Sequence, residues 1–239
     1  MSHIHIPDGI IPPFLWIAGY LITIAIIFMI IRKINPEEAR KKIPFTGLAA
    51  AIMLIGMSVP LFIIPVHLSL AVLTGILVGP SLGFLAVFAV NITLALFGHG
   101  GITVAGINTL VIGSEVLIGY YLFNALKNRI SLFGGAFMAT VLAVMVSLSM
   151  MVGLVAYTAG VAEALPHGND EHHDCAFHTE DHEEEISHAV EGVSYFFFSG
   201  WAALFMIVTA GLVLEASATG LIIRYFSKVR PDLLNSSEE

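Results

Sequence analysis

Cysteine occurs once in 239 residues, at Cys175, so an intrachain disulfide framework is excluded. Charge is scarce too: 12% of residues are Asp, Glu, Lys or Arg, against about 25% in soluble globular domains. No Gly-x-x-x-x-Gly-Lys-Ser/Thr loop is present, so the chain is not itself an ATPase of that kind. No His-Glu-x-x-His pair occurs either, which removes the commonest helical signature of a zinc hydrolase. The first apolar run, from about Pro12 to Ile31, lacks a basic segment before it and a small-residue cleavage site after it. It reads as a retained helix rather than a signal peptide.

What fills the chain is apolar residues: 57% of the total, with a mean hydropathy of +0.89. These values exclude an ordinary soluble domain and predict a polytopic membrane protein, with room for six to eight helices of about 20 residues each. The ten Lys and Arg residues fall into three clusters: Arg32, Lys33, Arg40, Lys41 and Lys42; Lys127 and Arg129; Arg224, Lys228 and Arg230. Each cluster ends an apolar stretch, and basic residues flanking membrane crossings collect on the cytoplasmic side. The expected topology puts the N-terminus outside and the C-terminus in the cytoplasm. Its helices are about Pro12 to Ile31, Phe45 to Ile64, Leu68 to Val78, Leu82 to Phe97, Thr103 to Leu126, Leu132 to Val161 and Tyr195 to Tyr225. The third is short for a crossing, and the Gly79-Pro80-Ser81 turn marks it as a re-entrant or tilted element. The predicted fold is therefore all-α: one polytopic helical bundle over residues 1–239, with about seven transmembrane helices, in the plasma membrane.

One segment departs from this composition. Residues 163–191 hold ten acids and the histidines His167, His172, His173, His178, His182 and His188, with no Lys or Arg. Such a stretch buries too little apolar surface to fold alone and is expected to be an unstructured extracytoplasmic loop. Read functionally, it is a low-affinity collector of divalent cations, effective only while its imidazoles are neutral. Read structurally, it is a solvated linker.

The remaining histidines, His3, His5, His67 and His99, all fall at the extracytoplasmic ends of expected helices. Any one alone is as readily a structural group as a ligand. Four on one face point to a metal site, because imidazole is the commonest metal ligand. The start Met1-Ser2-His3 adds a geometric argument. With Met1 removed, the Ser2 amine, one backbone amide and the His3 imidazole can surround a divalent ion in a near-plane, leaving one equatorial position for a group such as His67. Planar nitrogen coordination favours Ni(II) or Cu(II) over Zn(II). The plainer reading is a frayed terminus. Within expected helices lie Glu115 and Glu215, which at that depth are either packing carboxyls or part of a cation path. Asn91, Thr93, Asn108 and Thr109 are candidates for interhelical hydrogen bonds, and the spacings Gly47 to Ala51 and Gly75 to Gly79 suit close helix packing.

Several blocks together resemble the CbiM/NikM family, the nickel- or cobalt-specific membrane subunits of energy-coupling-factor (ECF) transporters. They are His5-Ile6-Pro7-Asp8-Gly9, Val66-His67-Leu68, Gly75-Ile76-Leu77-Val78-Gly79-Pro80, Gly98-His99-Gly100-Gly101 with Gly106-Ile107-Asn108-Thr109, and Lys228-Val229-Arg230-Pro231-Asp232. The resemblance implies a seven-helix bundle that binds Ni(II) or Co(II) through a terminal amine, the amide and imidazole of a second-position histidine, and His67. The family's usual start, Met-His-Ile-Pro-Asp-Gly, aligns its histidine with His5, and this chain has three residues more. Either the chelate uses Ser2 and His3 with His5 as a further ligand, or processing exposes Ile4, or the true start differs. His99 is implied only as a residue lining or supporting the site. The implied partners are a membrane coupling subunit, ATP-binding cassette ATPases and a small accessory membrane subunit, within a lipid bilayer and without nucleic acid. The implied cargo is Ni(II) or Co(II), with no permanent cofactor, in the service of nickel enzymes or cobalamin biosynthesis. Two other classes compete with this uptake subunit. An intramembrane metalloenzyme would want paired catalytic groups beside an open metal position, and a proton-driven exporter would want more acids in its helices than Glu115 and Glu215.

Overall fold

A computed structural model describes residues 9, 11–58, 67–98, 100–159 and 183–230, with the side chains of the last helix described from Phe205 onward. It is all-α among those residues. The helices are α1 (Pro13–Lys33), α2 (Pro36–Ser58), α3 (Ala71–Val78), α4 (Pro80–Leu96), α5 (Ala105–Leu126), α6 (Leu132–Ala159) and α7 (Glu183–Val229). Among the described residues four stretches are long and apolar enough to cross a membrane: α1, α5, α6 and Phe205–Val229 of α7. The chain is a multi-pass membrane protein.

Proline sets several helix starts. Pro13, Pro36 and Pro80 occupy the first turns of α1, α2 and α4, where the missing N–H costs nothing and the fixed φ suits a helix. Asn35 caps α2 by accepting the Glu37 N–H at 3.1 Å. Hydropathy predicts that this helix begins at Phe45, after Pro44. Instead α2 runs through Pro44 and carries Arg40, Lys41 and Lys42 on helical backbone. In the interrupted turn the Thr46 hydroxyl donates to Lys42 O at 2.9 Å, which takes up a carbonyl near the break. The last helix also starts early, at Glu183 rather than Tyr195. Glutamate is a good helix former and favours a helix N-terminus, so residues 183–191, expected to belong to the unstructured loop, are helical backbone, and His188 lies on it.

The third element is far from a crossing. At eight residues α3 is about 12 Å long, against a hydrocarbon core of about 30 Å. It is almost wholly buried and packs on α5, α4 and α2. Gly79, at φ 91°, reverses the chain into α4, and a Cβ built on Gly83 would lie 3.3 Å from Gly75 Cα. Thus α3 and α4 form a tight helical hairpin within the bundle. The left-handed turn is why glycine stands at position 79.

Around this hairpin α5 is the central post, touching α1, α3, α4 and α6. One cluster joins α3 to α5, α6 and α7 through Leu73, Ile76, Phe123, Ala139 and Ile223. A second joins α2, α4 and α5 through Met53, Val87, Val90, Ile112 and Val116. The α1–α5 contact depends on glycine, because a Cβ on Gly106 would meet Tyr20 Cα and N at 2.8 Å. Thr23 then reaches Gly106 O at 2.9 Å. The far side of α1, with Phe14, Leu21, Ile24 and Phe28 all more than half exposed, faces lipid.

Candidate functional site at the His67 segment

Between α2 and α3 the described chain resumes at His67, and residues 67–70 are not helical. Leu68 donates its N–H to Gly56 O on α2 at 3.1 Å. The return contact is as close, since a Cβ on Gly56 would sit 2.8 Å from Leu68 O. Ser69 and Leu70 are buried. Leu70 is in the left-handed region, at φ 51° and ψ 19°, and is the only non-glycine residue with positive φ among those described. That conformation costs about 1–2 kcal/mol for an L-residue, so neighbouring contacts must hold it.

They come from two carboxyls. Glu215 of α7 accepts the Leu70 N–H at 3.0 Å on Oε1 and the Ser69 N–H at 3.3 Å on Oε2. Ser69 Oγ lies 2.6 Å from Glu215 Oε1 and 2.8 Å from Glu115 Oε2 of α5. Both acids are buried, and Glu115 Oε1 has no hydrogen-bond partner. Ser147 of α6, beside Glu115, gives its hydroxyl to Val111 O at 3.3 Å. Glu115 stands midway along α5 and Glu215 near the middle of the apolar part of α7. Ser69, bonded to both, is therefore at mid-depth of the bundle. His67, two residues away, is within about 7 Å of it along the chain. Sequence alone places His67 at the extracytoplasmic end of a helix. The segment dips inward instead, as backbone without helix can do at that depth only when enclosed by protein. His67 is half-buried, with its Nδ1 nitrogen buried.

Of the other residues singled out from sequence, Ser2, His3, His5, His99, His167, His172, His173, His178 and His182 lie outside the described residues, as does the side chain of His188. Among the described residues no three of His, Cys, Asp and Glu come together as a metal site. The ends of two motifs can be followed. Ile11, just after His5-Ile6-Pro7-Asp8-Gly9, is buried against Val104, Ile107 and Val111 of the α5 end, with Met151 and Leu154 of α6 beside them. Gly98 and Gly100, either side of His99, have φ of 76° and 87°, which explains glycine at both places. The Tyr20 hydroxyl on α1 donates to Ile102 O just beyond that turn. Asn91 and Thr109 do join helices, with Asn91 Nδ2 donating to Thr109 Oγ1 at 3.2 Å, whereas Thr93 bonds Ala89 O of its own helix. Gly75 packs as expected, but Gly47 and Ala51 are exposed, and nothing approaches within 4 Å of a Cβ on Gly47.

Sequence reasoning missed Ser69. It sits in an apolar stretch with no motif of its own, and neither the Leu70 conformation nor the meeting of Glu115 with Glu215 has a local signal.

The site is thus an enclosed non-helical segment carrying a histidine inside a multi-pass bundle. Residues 5–233 match the cobalt uptake substrate-specific transmembrane region family, and the chain belongs to that family. Its members are membrane transporter components, not enzymes. A protein of Methanocaldococcus jannaschii named as a candidate metal transport protein is 28% identical over 255 residues, covering 98% of this chain and 96% of its own. One of Haloquadratum walsbyi with the same kind of name is 34% identical over 164 residues, covering 66% of this chain and 74% of its own. The crystal structure of a transition metal transporter shares the fold at a TM-score of 0.69 and 19% identity, covering 98% of both chains.

Proposed function

We propose that this chain is the substrate-capture subunit of an ATP-driven ECF-type importer for Ni(II) or Co(II). In this reading the N-terminus is extracytoplasmic and the C-terminus cytoplasmic, and the ion is held between His67 and the N-terminal segment. The observation that carries the proposal is the placement of His67: a buried imidazole nitrogen on a segment clamped inside the bundle of a cobalt-uptake family member. Ile11 packs on the α5 end and on α6, which ties the chain to the bundle six residues after His5. ATPase and coupling subunits would supply the energy, and the acidic histidine loop would collect ions outside.

The test is uptake of radiolabelled cobalt and nickel by cells lacking their own high-affinity systems. Uptake is expected when this chain is expressed with a coupling subunit and ATPases, and loss of it when the ATPases carry an inactive nucleotide site. Uptake indifferent to the ATPases would reject the ECF reading. Within the N-terminal segment, the family match begins at His5. His5→Ala is accordingly expected to weaken binding of cobalt by about 100-fold and His3→Ala by far less, on the scale of losing a metal-centre group. The reverse order in a titration would assign the imidazole to His3.

A further inference from the structure

Two buried carboxyls around one hydroxyl raise a question of hydrogen count. Ser69 Oγ has a single proton and two lone pairs. It accepts the Ala71 N–H at 3.4 Å and stands at hydrogen-bond distance from both Glu215 Oε1 and Glu115 Oε2. It can donate to only one of them, so the other contact is a hydrogen bond only if that carboxyl donates in return. Glu215 already takes two backbone N–H groups, one on each oxygen. That leaves it an acceptor throughout, which is the pattern of an ionised carboxylate. Glu115 has one oxygen at Ser69 and the other without a partner. It is the member able to carry the proton and donate it to Ser69 Oγ.

The two acids therefore have different tasks. Glu215 bonds the main chain directly, at the two residues where the His67 segment turns into α3. Those N–H groups stand at the two positions just before the half-length helix α3, whose N-terminal dipole end favours a negative group. They also fix Leu70 in its left-handed conformation, three residues from His67. Glu115 reaches the segment only through the serine hydroxyl. With Gly56 O holding the Leu68 N–H from the other side, the segment is tied between α2 and α7.

We propose that Glu215 is a positioning residue for His67: its carboxylate, bonded to the Ser69 and Leu70 amides, sets the path of the segment and hence where the imidazole stands. This rests on the reading of His67 as a metal ligand. An amide in place of the carboxylate cannot do the same. Its one oxygen can keep the Leu70 N–H and the Ser69 hydroxyl, but its NH2 then faces the Ser69 N–H, donor against donor. At position 115 the substitution is milder, because a glutamine NH2 can donate to Ser69 Oγ as the protonated acid does.

The test uses the full-length protein in detergent or nanodiscs, titrated with Co(II) alone, with the ligand-field absorption of the bound ion and the thermal midpoint measured beside affinity. E215Q is expected to weaken Co(II) binding at least tenfold and to displace the absorption band while the protein stays folded. E115Q is expected to weaken it about threefold at most, with the band in place. A merely structural role would lower the midpoint of E215Q and leave the band and affinity of the folded protein as they were; that result overturns the proposal, as does a larger effect of E115Q than of E215Q. If E215Q does not fold, Glu215→Asp keeps the charge but draws the carboxylate back from both amides. It should then shift the band with a loss of affinity of about tenfold, and an unshifted band with parental affinity overturns the proposal equally. H67A separates the two layers. Loss of binding in H67A with a silent E215Q rejects only the positioning role, whereas full binding in H67A rejects the ligand reading beneath it.

Discussion

Replacing His67 by alanine is expected to abolish tight binding of Co(II) or Ni(II) while leaving the bundle folded. The imidazole is carried on non-helical backbone, is only half-buried, and belongs to none of the three apolar clusters that hold the helices together. Its loss therefore opens little apolar volume, and the hydrogen bonds of Leu68, Ser69 and Leu70 that fix the segment are all made by other groups. Even supporting residues of metal sites typically cost about 10–100-fold in affinity when removed, so loss of a direct ligand should reach about 100-fold or more. That corresponds to about 2.8 kcal/mol. Calorimetric titration of purified protein, with circular dichroism as the control for folding, decides it. An H67A protein that is helical and binds as tightly as the parent would remove His67 from the site.

The His67 segment shows where sequence reading succeeds and where it stops. Class and helix order follow from hydropathy alone, because a crossing is long, apolar and uninterrupted, and α1 and α5 end within two residues of expectation. Prolines were harder. The apolar run that starts at Phe45 gives no sign that α2 begins at Pro36 and continues through Pro44. The short apolar run after His67 was legible as something less than a crossing. Its real form, a buried half-helix reversing at Gly79, depends on Gly75, Gly83 and Val116 meeting in space. Glu115 and Glu215 were conspicuous as acids in apolar helices. Their convergence on Ser69 joins residues as far as 146 positions apart, and no local pattern encodes such a contact.

Glycine gives the sharpest case of one pattern with two meanings, and the second large effect is expected there. Gly47 and Gly75 each open a small-xxx-small spacing of the kind that brings membrane helices together. At position 75 the neighbour is main chain: a Cβ would lie 2.8 Å from Val116 O and 3.3 Å from Val116 Cα. Neither helix can yield by changing a rotamer, because α3 is enclosed by α2, α4 and α5. Gly75→Leu should therefore cost more than the roughly 1–3 kcal/mol usual for overpacking. At about 2–4 °C per kcal/mol for a chain of this size, the thermal midpoint should fall by about 10 °C or the protein should fail to accumulate. At position 47 a Cβ meets nothing within 4 Å, and the residue is exposed on α2. There the same substitution replaces the most flexible residue with a good helix former, worth up to about 1 kcal/mol in the opposite direction. The paired variants thus differ in sign for one chemical change. If Gly75→Leu melts with the parent, or Gly47→Leu falls as far as Gly75→Leu, the α3–α5 contact is not the close helix crossing described above. Because Val116 is the residue after Glu115, opening that crossing should also shift Glu115 relative to Ser69. Metal affinity is therefore expected to fall in any Gly75→Leu protein that survives purification and to stay unchanged in Gly47→Leu.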